Sequence, residues 1–560
     1  MKTVRWLVVN INRRGKRGLA TVAIASALVL TSCAQSERDE GDGSDDGSGG
    51  GGGTFVFAGA AEPGALDPVF VSDGESFRVA RQMYEGLVGT EPGTPDPAPL
   101  LAESWTTSDD GLTYEFTLRT GVKFHDGTDF NAEAVCFNFD RWYNLPESAQ
   151  SDDLAYYYSV IFRGFATGDR TDAALYESCE AEGEDKATIT LTDPFAGFVP
   201  AMSLPAFSMQ SPTALQEYQD DAASDPRTTE YATERPTGTG PFMLGSWEQG
   251  KQVTLKAFPD YWGEKAQVDT AVVVAIAEPK ARATALQNGE IDGFDLVGPA
   301  DIAPLQDEGF QIVNRDPFNI LYLGMNQKTP PLDDIRVRQA IAYAIDKQEV
   351  ADASLPAGSE LAEIFMPDSV NGYTEDVETY DYDPEQAMAL LEEAGADGAT
   401  IEFNYPTAIS RPYMPSPEDT FNVIRTQLEE VGLKIKPTAD VWDPDYLDKI
   451  QGTEEHGIHL LGWTGDYNDS DNFVGVFFGA ETTEWGFTNQ ELFDALGEAK
   501  GIATPEEAQP VYEQINKDIM EFLPGVPLAH PVPSLAFAEN VSGYQQSPVQ
   551  DEVWNTVTVE

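Results

Sequence analysis

The side chains best suited to chemistry fall into small groups, and each group lacks a partner that its chemistry requires. His456 and His459 share the spacing of one helical face, but a metal site needs further ligands and the chain has only 4 histidines. The segment DYNDSD at 466–471 loosely resembles a calcium loop without its glycine at position six and glutamate at position twelve. Neither a nucleophile elbow nor a phosphate-binding glycine loop occurs, and carboxylates are too abundant for any one pair to be informative. We therefore predict a protein that is not an enzyme and holds no metal and no cofactor.

The charge balance narrows the possible partners. The chain of 560 residues has 34 Lys and Arg against 95 Asp and Glu, a net charge of −61. A polyanion would be repelled over most of such a surface, so nucleic-acid binding is excluded. The hydrophobic fraction of 41% is enough for several cores, and no apolar run long enough to span a bilayer follows the N-terminus.

The first 33 residues have the pattern of an export signal. A basic segment precedes the apolar stretch Leu19–Leu30, which is too short to cross a bilayer comfortably. The sequence Leu30-Thr-Ser-Cys33 resembles the lipobox of bacterial lipoproteins, in which the cysteine thiol carries the lipid. We predict a signal peptide at 1–32, lipidation of Cys33, a flexible Gly/Asp linker at 33–53, and anchoring to the outer face of the cell membrane. An ordinary secretory signal with a chance cysteine is the alternative.

Two further cysteines, Cys136 and Cys179, remain for the folded part. In an exported protein such a pair favours a disulfide, although two buried thiols are the alternative. A bond closing a loop of about 44 residues would contribute ~4 kcal/mol in the chain-entropy model.

The pattern of elements predicts an α/β protein. Residues 272–296 have the order strand, helix, strand, and helices alternate with short strands from about residue 235 onward. Pro384 after Asp383 begins one helix, and Gly395 ends it. The segment at about 90–230 is more irregular and rich in turns. We expect two α/β lobes, the first carrying a β-rich insertion.

Several motifs in a fixed order resemble the bacterial extracellular solute-binding proteins of family 5, the peptide and nickel receptors of ABC importers. The resemblance covers about residues 54–540, and it rests on these segments: Leu101–Trp105, Asp110–Arg119, Val122–Gly127, Thr237–Phe242, Asp260–Trp262, Asp334–Asp346, Trp463–Asp466 and Asp471–Phe473. Ser470 departs from the proline that many members have there, which should alter a turn rather than the site.

The resemblance implies a periplasmic-binding-protein-like fold whose two lobes close on a ligand by hinge motion. It places lobe 1 at 54–317, with an inserted subdomain at about 90–230, lobe 2 at 318–527, and a return to lobe 1 at 528–560. It also implies a monomer that delivers a peptide to an ABC permease driven by a cytoplasmic ATPase.

The resemblance further suggests which residues hold the ligand. Asp466, in a Trp-x-x-Asp motif, would bind a peptide amino group, and Arg411 its carboxylate, because a planar guanidinium suits a carboxylate. Trp463 would form an apolar wall, while Thr464 and Gly465 would offer backbone groups to an extended ligand. For Asp466 a turn cap is the alternative role, and for Arg411 a surface salt bridge.

Four weaker candidates complete the predicted site. Tyr413 follows Arg411 in the same loop, and Ala61 and Glu62 match a cleft-lining loop of the first lobe. Asn326 follows the buried strand Leu321–Met325, where we expect the chain to cross between lobes. A hinge or core role is the alternative to ligand contact for this residue.

Other functions stay open at this point. The chain could be a receptor for another solute, such as a nickel chelate or an oligosaccharide, or a sensor that binds a peptide without transport. A secreted acidic hydrolase is the rival from a different class.

Overall fold

The computed structural model describes residues 52–151, 153–220 and 223–560. The predicted signal peptide, Cys33 and the linker up to residue 51 lie outside the described residues. None of the helices in the described part combines the length and hydrophobicity that a bilayer crossing requires.

Lobe 1 is built on a mixed sheet of seven strands. From one edge to the other they are β12 (Gln311–Asn314), β19 (Ser534–Phe537), β11 (Gly293–Phe294), β1 (Thr54–Gly59), β10 (Thr270–Ala275), β9 (Gln252–Ala257) and β8 (Phe242–Glu248). The central strand β1 pairs in parallel with β10 and β11, and its Phe55 packs edge-on against Trp554 from the C-terminal segment.

Lobe 2 is built on a mixed sheet of six strands. They are β14 (Glu360–Leu361), β18 (Gly525–His530), β13 (Asn319–Met325), β17 (Ile458–Thr464), β15 (Thr400–Thr407) and β16 (Lys434–Val441). All seven residues of β13 are buried, as expected for a central strand covered on both faces.

An inserted subdomain projects from lobe 1. Its sheet has the order β4 (Ala102–Thr107), β5 (Thr113–Leu118), β7 (Lys186–Leu191) and β6 (Tyr176–Glu182), with its own aromatic-rich core. Cys136 and Cys179 form a disulfide bond that joins a helix of this subdomain to β6. Two small ladders pair β2 (Val88–Thr90) with β3 (Pro97–Pro99), and β20 (Val541–Ser542) with β21 (Thr558–Val559).

The helices of the first half are α1 (Gly74–Met83), α2 (Ala132–Tyr143), α3 (Tyr156–Phe162), α4 (Phe198–Ala201), α5 (Pro212–Tyr218), α6 (Glu230–Thr233), α7 (Pro279–Gln287) and α8 (Pro299–Asp307). Those of lobe 2 are α9 (Ile335–Ala344), α10 (Lys347–Ser354), α11 (Pro384–Ala394), α12 (Pro417–Glu430), α13 (Leu447–Gly452), α14 (Val474–Phe478), α15 (Gln490–Lys500) and α16 (Pro505–Phe522). Short 3-10 turns and one π turn occupy Pro68–Phe70, Glu147–Ala149, Thr171–Ala173, Pro205–Phe207, Pro226–Thr228, Ser470–Asn472, Trp554–Thr556 and Trp442–Tyr446.

The chain crosses between the two large sheets twice, from β12 to β13 and from β18 to β19. The second crossing follows His530, because β18 pairs with β14 up to that residue. The crossings run side by side, since the Arg315 N–H donates to the Pro533 carbonyl and the Asn319 amide to the Pro531 carbonyl. The two-lobe α/β architecture with an extra β-rich domain in the first lobe confirms the predicted fold class.

Candidate functional site

A cavity of about 660 Å³ lies between the lobes, and we call it the interlobe cavity. This volume is in the range of small-molecule binding sites. Lobe 1 lines it mainly through the loop after β1, the cavity-facing side of α1, and Tyr157 of α3. Lobe 2 contributes Ile409, Ser410, Arg411, Pro412, Tyr413, Trp442, Leu447, Gln451, Leu461, Gly462, Trp463, Thr464, Gly465 and Asp466.

Asp466 lies in the loop directly after β17, where it faces lobe 1. Its Oδ1 accepts a 2.8 Å hydrogen bond from the Tyr157 hydroxyl, and its backbone N–H donates to the Asn472 side chain. Burial raises the pKa of Asp466 to about 6, although hydrogen bonds from Tyr157 and Asn472 and the charge of Arg81 act in the opposite direction. Among the described residues, no basic side chain is within ion-pairing distance of this carboxylate, so a ligand cation would relieve its desolvation.

The backbone of β17 presents free groups to the cavity. The Gly465 N–H donates to the Phe318 carbonyl, and hydrogen-bonded positions alternate in an antiparallel pair. The N–H and C=O groups of Thr464 and Gly462 must therefore point away from β13, towards β15. Yet β15 pairs with β17 only through Ile458 and His459, so this edge is open along the cavity.

We predicted that Gly465 offers backbone groups to a ligand. Its N–H is not available for this, because it donates to the Phe318 carbonyl. A Cβ on Gly465 would lie 2.3 Å from the Phe318 ring, so a glycine is needed for this close packing. Gly462 of β17 is instead the glycine whose backbone groups face the cavity. Sequence analysis did not predict this residue.

Arg411 lies in the loop after β15, and among the described residues it forms no ion pair. Its guanidinium stacks over the Trp442 ring at 4.6 Å, and its buried Nε has no hydrogen-bond partner among the described residues. The stacked guanidinium is therefore placed to receive an anion from the cavity.

Two aromatic side chains of lobe 2 complete this wall. The Tyr413 ring packs over Gly462, whose Cβ would lie 2.4 Å from it, and burial raises the pKa of Tyr413 to about 12. Trp463 is half-buried beside it, and its Nε1 finds no acceptor among the described residues. The wall thus offers aromatic surface together with unused hydrogen-bond donors.

The two candidates of lobe 1 lie at the opposite wall. Ala61 and Glu62 line the cavity in the loop after β1. The Glu62 side chain is exposed and accepts a 2.8 Å hydrogen bond from the Gly250 N–H. It is therefore at the rim of the cavity rather than in its centre.

Asn326 is not among the residues that line the interlobe cavity, so the structure gives no support to its predicted ligand contact. The cavity lies at the Asn319 end of β13, whereas Asn326 follows the other end of the strand. It is fully buried, donates to the Glu454 carbonyl and accepts from the Lys328 N–H. The chain crosses between lobes before β13, so Asn326 is a structural residue of lobe 2.

Sequence reasoning missed the charged wall formed by α1. Arg78 and Asp295 line the cavity and pair at 2.6 Å, and Asp295 also pairs with Arg315 at 2.7 Å. Arg315 in turn binds Glu552, and Arg78 binds Glu75. Glu75 is three residues from Arg78, but Asp295 is 217 residues from it, so this pair could not be inferred from the sequence.

The histidine pair and the DYNDSD segment, which we did not predict to bind metal, make contacts within the described part of the protein. His456 and His459 both face Glu484, the first through its backbone carbonyl and the second through its carboxylate. Within the DYNDSD segment, Asp471 pairs with Lys500 at 2.6 Å. No group of three or more potential metal ligands is found among the described residues.

The matching family model and the most similar proteins all point to one class of binding protein. Residues 96–485 match the family described as bacterial extracellular solute-binding proteins, family 5 Middle. The heme-binding protein A of Haemophilus influenzae is 30% identical over 97% of this chain and 99% of its own length. The dipeptide-binding protein of Escherichia coli is 30% identical, over 90% of this chain and 95% of its own. An ABC transporter-associated periplasmic binding protein of Helicobacter pylori, solved with the peptide STSA, has a TM-score of 0.76 and 26% identity, covering 91% and 99% of the two chains.

Proposed function

Because the chain belongs to the bacterial extracellular solute-binding proteins of family 5, we propose that it captures short peptides in the interlobe cavity and delivers them to an ABC permease. The ligand is bound and released without chemical change. The peptide chemistry of two similar proteins, one binding dipeptides and one solved with a tetrapeptide, supports this ligand class.

One observation carries the proposal. Within the described residues, the same cavity wall holds a carboxylate that has no basic partner, Asp466, and a guanidinium that has no acidic partner, Arg411. A peptide with free ends supplies both missing charges, an ammonium for Asp466 and a carboxylate for Arg411. Between them, the open backbone edge at Gly462 and Thr464 suits the main chain of an extended peptide.

Membrane attachment is the second part of the proposal. The lipobox-like sequence ending at Cys33 and the glycine-rich stretch at 41–53 support a lipid-anchored monomer on the outer face of the membrane. Such a tether would keep the receptor near its permease. A Cys33→Ala chain, expressed with its own signal, should move from the membrane fraction to the soluble fraction.

The ligand class is tested with one tripeptide, Ala-Leu-Ala, in free, N-acetylated and C-amidated forms. The protein from residue 52 onward, freed of ligand by refolding, is titrated by calorimetry as wild type, Asp466→Asn and Arg411→Gln. Acetylation should weaken binding to the wild type about 10- to 100-fold, because a desolvated ion pair is lost, but should change little in Asp466→Asn. Amidation should show the same pattern with Arg411→Gln.

Asp376→Asn is the matched control, because Asp376 is exposed and its ion pair with Lys517 is on the surface. Failure of folded, ligand-free wild type to bind any of these peptides would reject the peptide assignment and favour another solute. An acetylation penalty of equal size in the wild type and in Asp466→Asn would remove Asp466 from the site.

A further inference from the structure

Four consecutive residues of lobe 2 contact lobe 1, and we call them the 466–469 loop. Asp466 accepts from Tyr157, and the Asn468 amide donates to Asp96 at 2.9 Å. A Cβ on Gly197 of the inserted subdomain would lie 2.9 Å from Asp469 Cγ, so the loop fits closely there. The loop that carries the proposed amino-group acceptor is therefore also a contact between lobes.

Tyr467, between these residues, inserts its ring into the core of the other lobe. Its exposed fraction is 2%, and it belongs to the aromatic cluster of the inserted subdomain. By contrast, Phe473 and Leu461, on either side in sequence, belong to the core of lobe 2. Separation of the lobes would expose the Tyr467 ring, whereas the cores of the two lobes would stay intact.

Tyr467 is not among the residues that line the interlobe cavity. Its contribution to binding must therefore act through the closed arrangement of the lobes rather than through the ligand. When only a fraction of the protein is in the binding-competent state, the apparent dissociation constant rises as that fraction falls. Burying a large apolar side chain changes such an equilibrium by about 10- to 100-fold.

We propose that Tyr467 is a positioning residue that sets ligand affinity by stabilising the closed lobes. The proposal rests on the proposed function for the identity of the ligand, but the closure itself requires no ligand. The ring, not the hydroxyl, is responsible, because the ring packs in the apolar cluster of the inserted subdomain. The hydroxyl is close to Asp466, Asp469 and Asp471 but makes no hydrogen bond among the described residues.

The test compares Tyr467→Ala, Tyr467→Phe and the control Tyr382→Ala, whose side chain is 46% exposed. Calorimetry with Ala-Leu-Ala and small-angle X-ray scattering with and without the peptide are the two measurements. Tyr467→Ala should bind about 10- to 100-fold more weakly, mainly through faster dissociation, and its unliganded radius of gyration should exceed that of the wild type. At saturating peptide the radii should coincide. Tyr467→Phe and Tyr382→Ala should stay within about twofold of the wild type.

Affinity of Tyr467→Ala within twofold of the wild type, with an unchanged radius of gyration, would overturn the proposal. So would a loss in Tyr467→Phe as large as in Tyr467→Ala. If Tyr467→Ala does not fold, Asn468→Ala replaces it, with a weaker opening of the lobes expected. If wild type binds no peptide, the proposed function fails, and the unliganded radii alone still decide whether Tyr467 holds the lobes closed.

Discussion

The Tyr157 hydroxyl donates a 2.8 Å hydrogen bond to the Asp466 carboxylate across the boundary between the lobes. Tyr157 comes from α3 of the inserted subdomain, and Asp466 from the loop after β17. A ligand ammonium at Asp466 would therefore share its carboxylate with a group of the opposite lobe. The Asp466 side chain would therefore take part both in ligand binding and in a contact between the lobes.

Replacing Tyr157 by Phe should weaken peptide binding at pH 7.5 by about tenfold, since a hydrogen bond to a charged group is worth about 1.5–3 kcal/mol and a ligand ammonium replaces part of it. The same change should raise the pKa of Asp466, because this hydrogen bond now lowers it. Calorimetry at several pH values measures both effects. Tyr382→Phe, on the exposed surface, is the control, and equal affinities for Tyr157→Phe and wild type would show that the bond is not made in the bound state.

Peptide affinity should depend on pH through Asp466. Burial raises the pKa of this carboxyl to about 6 in the unliganded protein, so below that pH a proton occupies the group that the ligand ammonium needs. Affinity should be nearly constant above pH 7 and should fall by up to about tenfold per unit below pH 6, with proton release on binding in that range.

The measurement is a titration series between pH 5 and 8 in buffers of different ionisation enthalpy. Asp466→Asn should bind weakly and should not show the fall in affinity below pH 6. A remaining dependence near pH 7 would come from Asp469 in the same loop, because burial raises its pKa to about 7. A wild-type affinity that stays constant down to pH 5 would contradict the assignment of Asp466 as the ammonium acceptor.

The sequence could predict those features of the fold that depend on neighbouring residues alone. Asp383, Pro384 and Gly395 bound α11 as expected, because capping and the left-handed Gly395 depend on neighbouring residues alone. The end of α1 at Met83 has no such local signal. There the chain turns so that Glu85 is buried among donors from Thr239, Tyr261 and Trp262. No local sequence pattern could predict these partners, because they are distant in the sequence.

The features of the candidate site also differ in whether the sequence could predict them. Asp466, Arg411, Tyr413 and Trp463, which the resemblance suggested as ligand-binding residues, all line one cavity. Their role in binding stays a prediction. The availability of a backbone group is different, because it depends on strand register. Register decides that Gly462 faces the cavity while the N–H of Gly465 is used by Phe318.

Removing the Cys136–Cys179 bond should lower stability without changing affinity. The bond closes a loop with a sequence separation of 43 residues inside the inserted subdomain, away from the cavity-lining residues. Loss of a native disulfide of this kind costs about 2–5 kcal/mol. Thermal unfolding of the Cys136→Ala/Cys179→Ala protein should show a lower midpoint, and dithiothreitol should lower the wild-type midpoint but not that of the variant. A large change in peptide affinity would instead indicate that the subdomain's shape depends on the bond.

Asp295→Asn should destabilise lobe 1 by about 3–5 kcal/mol, because it removes the charge that two buried guanidinium groups share. Burial alone would raise the pKa of Asp295, but Arg315 and Arg78 outweigh it and hold this pKa well below its ordinary value. A depressed folded-state pKa gives stability that is present above the ordinary carboxyl pKa and lost as the pH falls below it. The difference between variant and wild type, measured by urea unfolding, should therefore be constant from pH 5 to 8 and shrink towards pH 3.

Asp376→Asn is again the control, since Asp376 is exposed and its ion pair with Lys517 is on the surface. Equal unfolding free energies for Asp295→Asn and wild type would mean that Glu75 and Glu552 neutralise Arg78 and Arg315 unaided. The cost of desolvating Asp295 would then cancel its attraction to them, and the network would fix the shape of the cavity wall without adding to its stability.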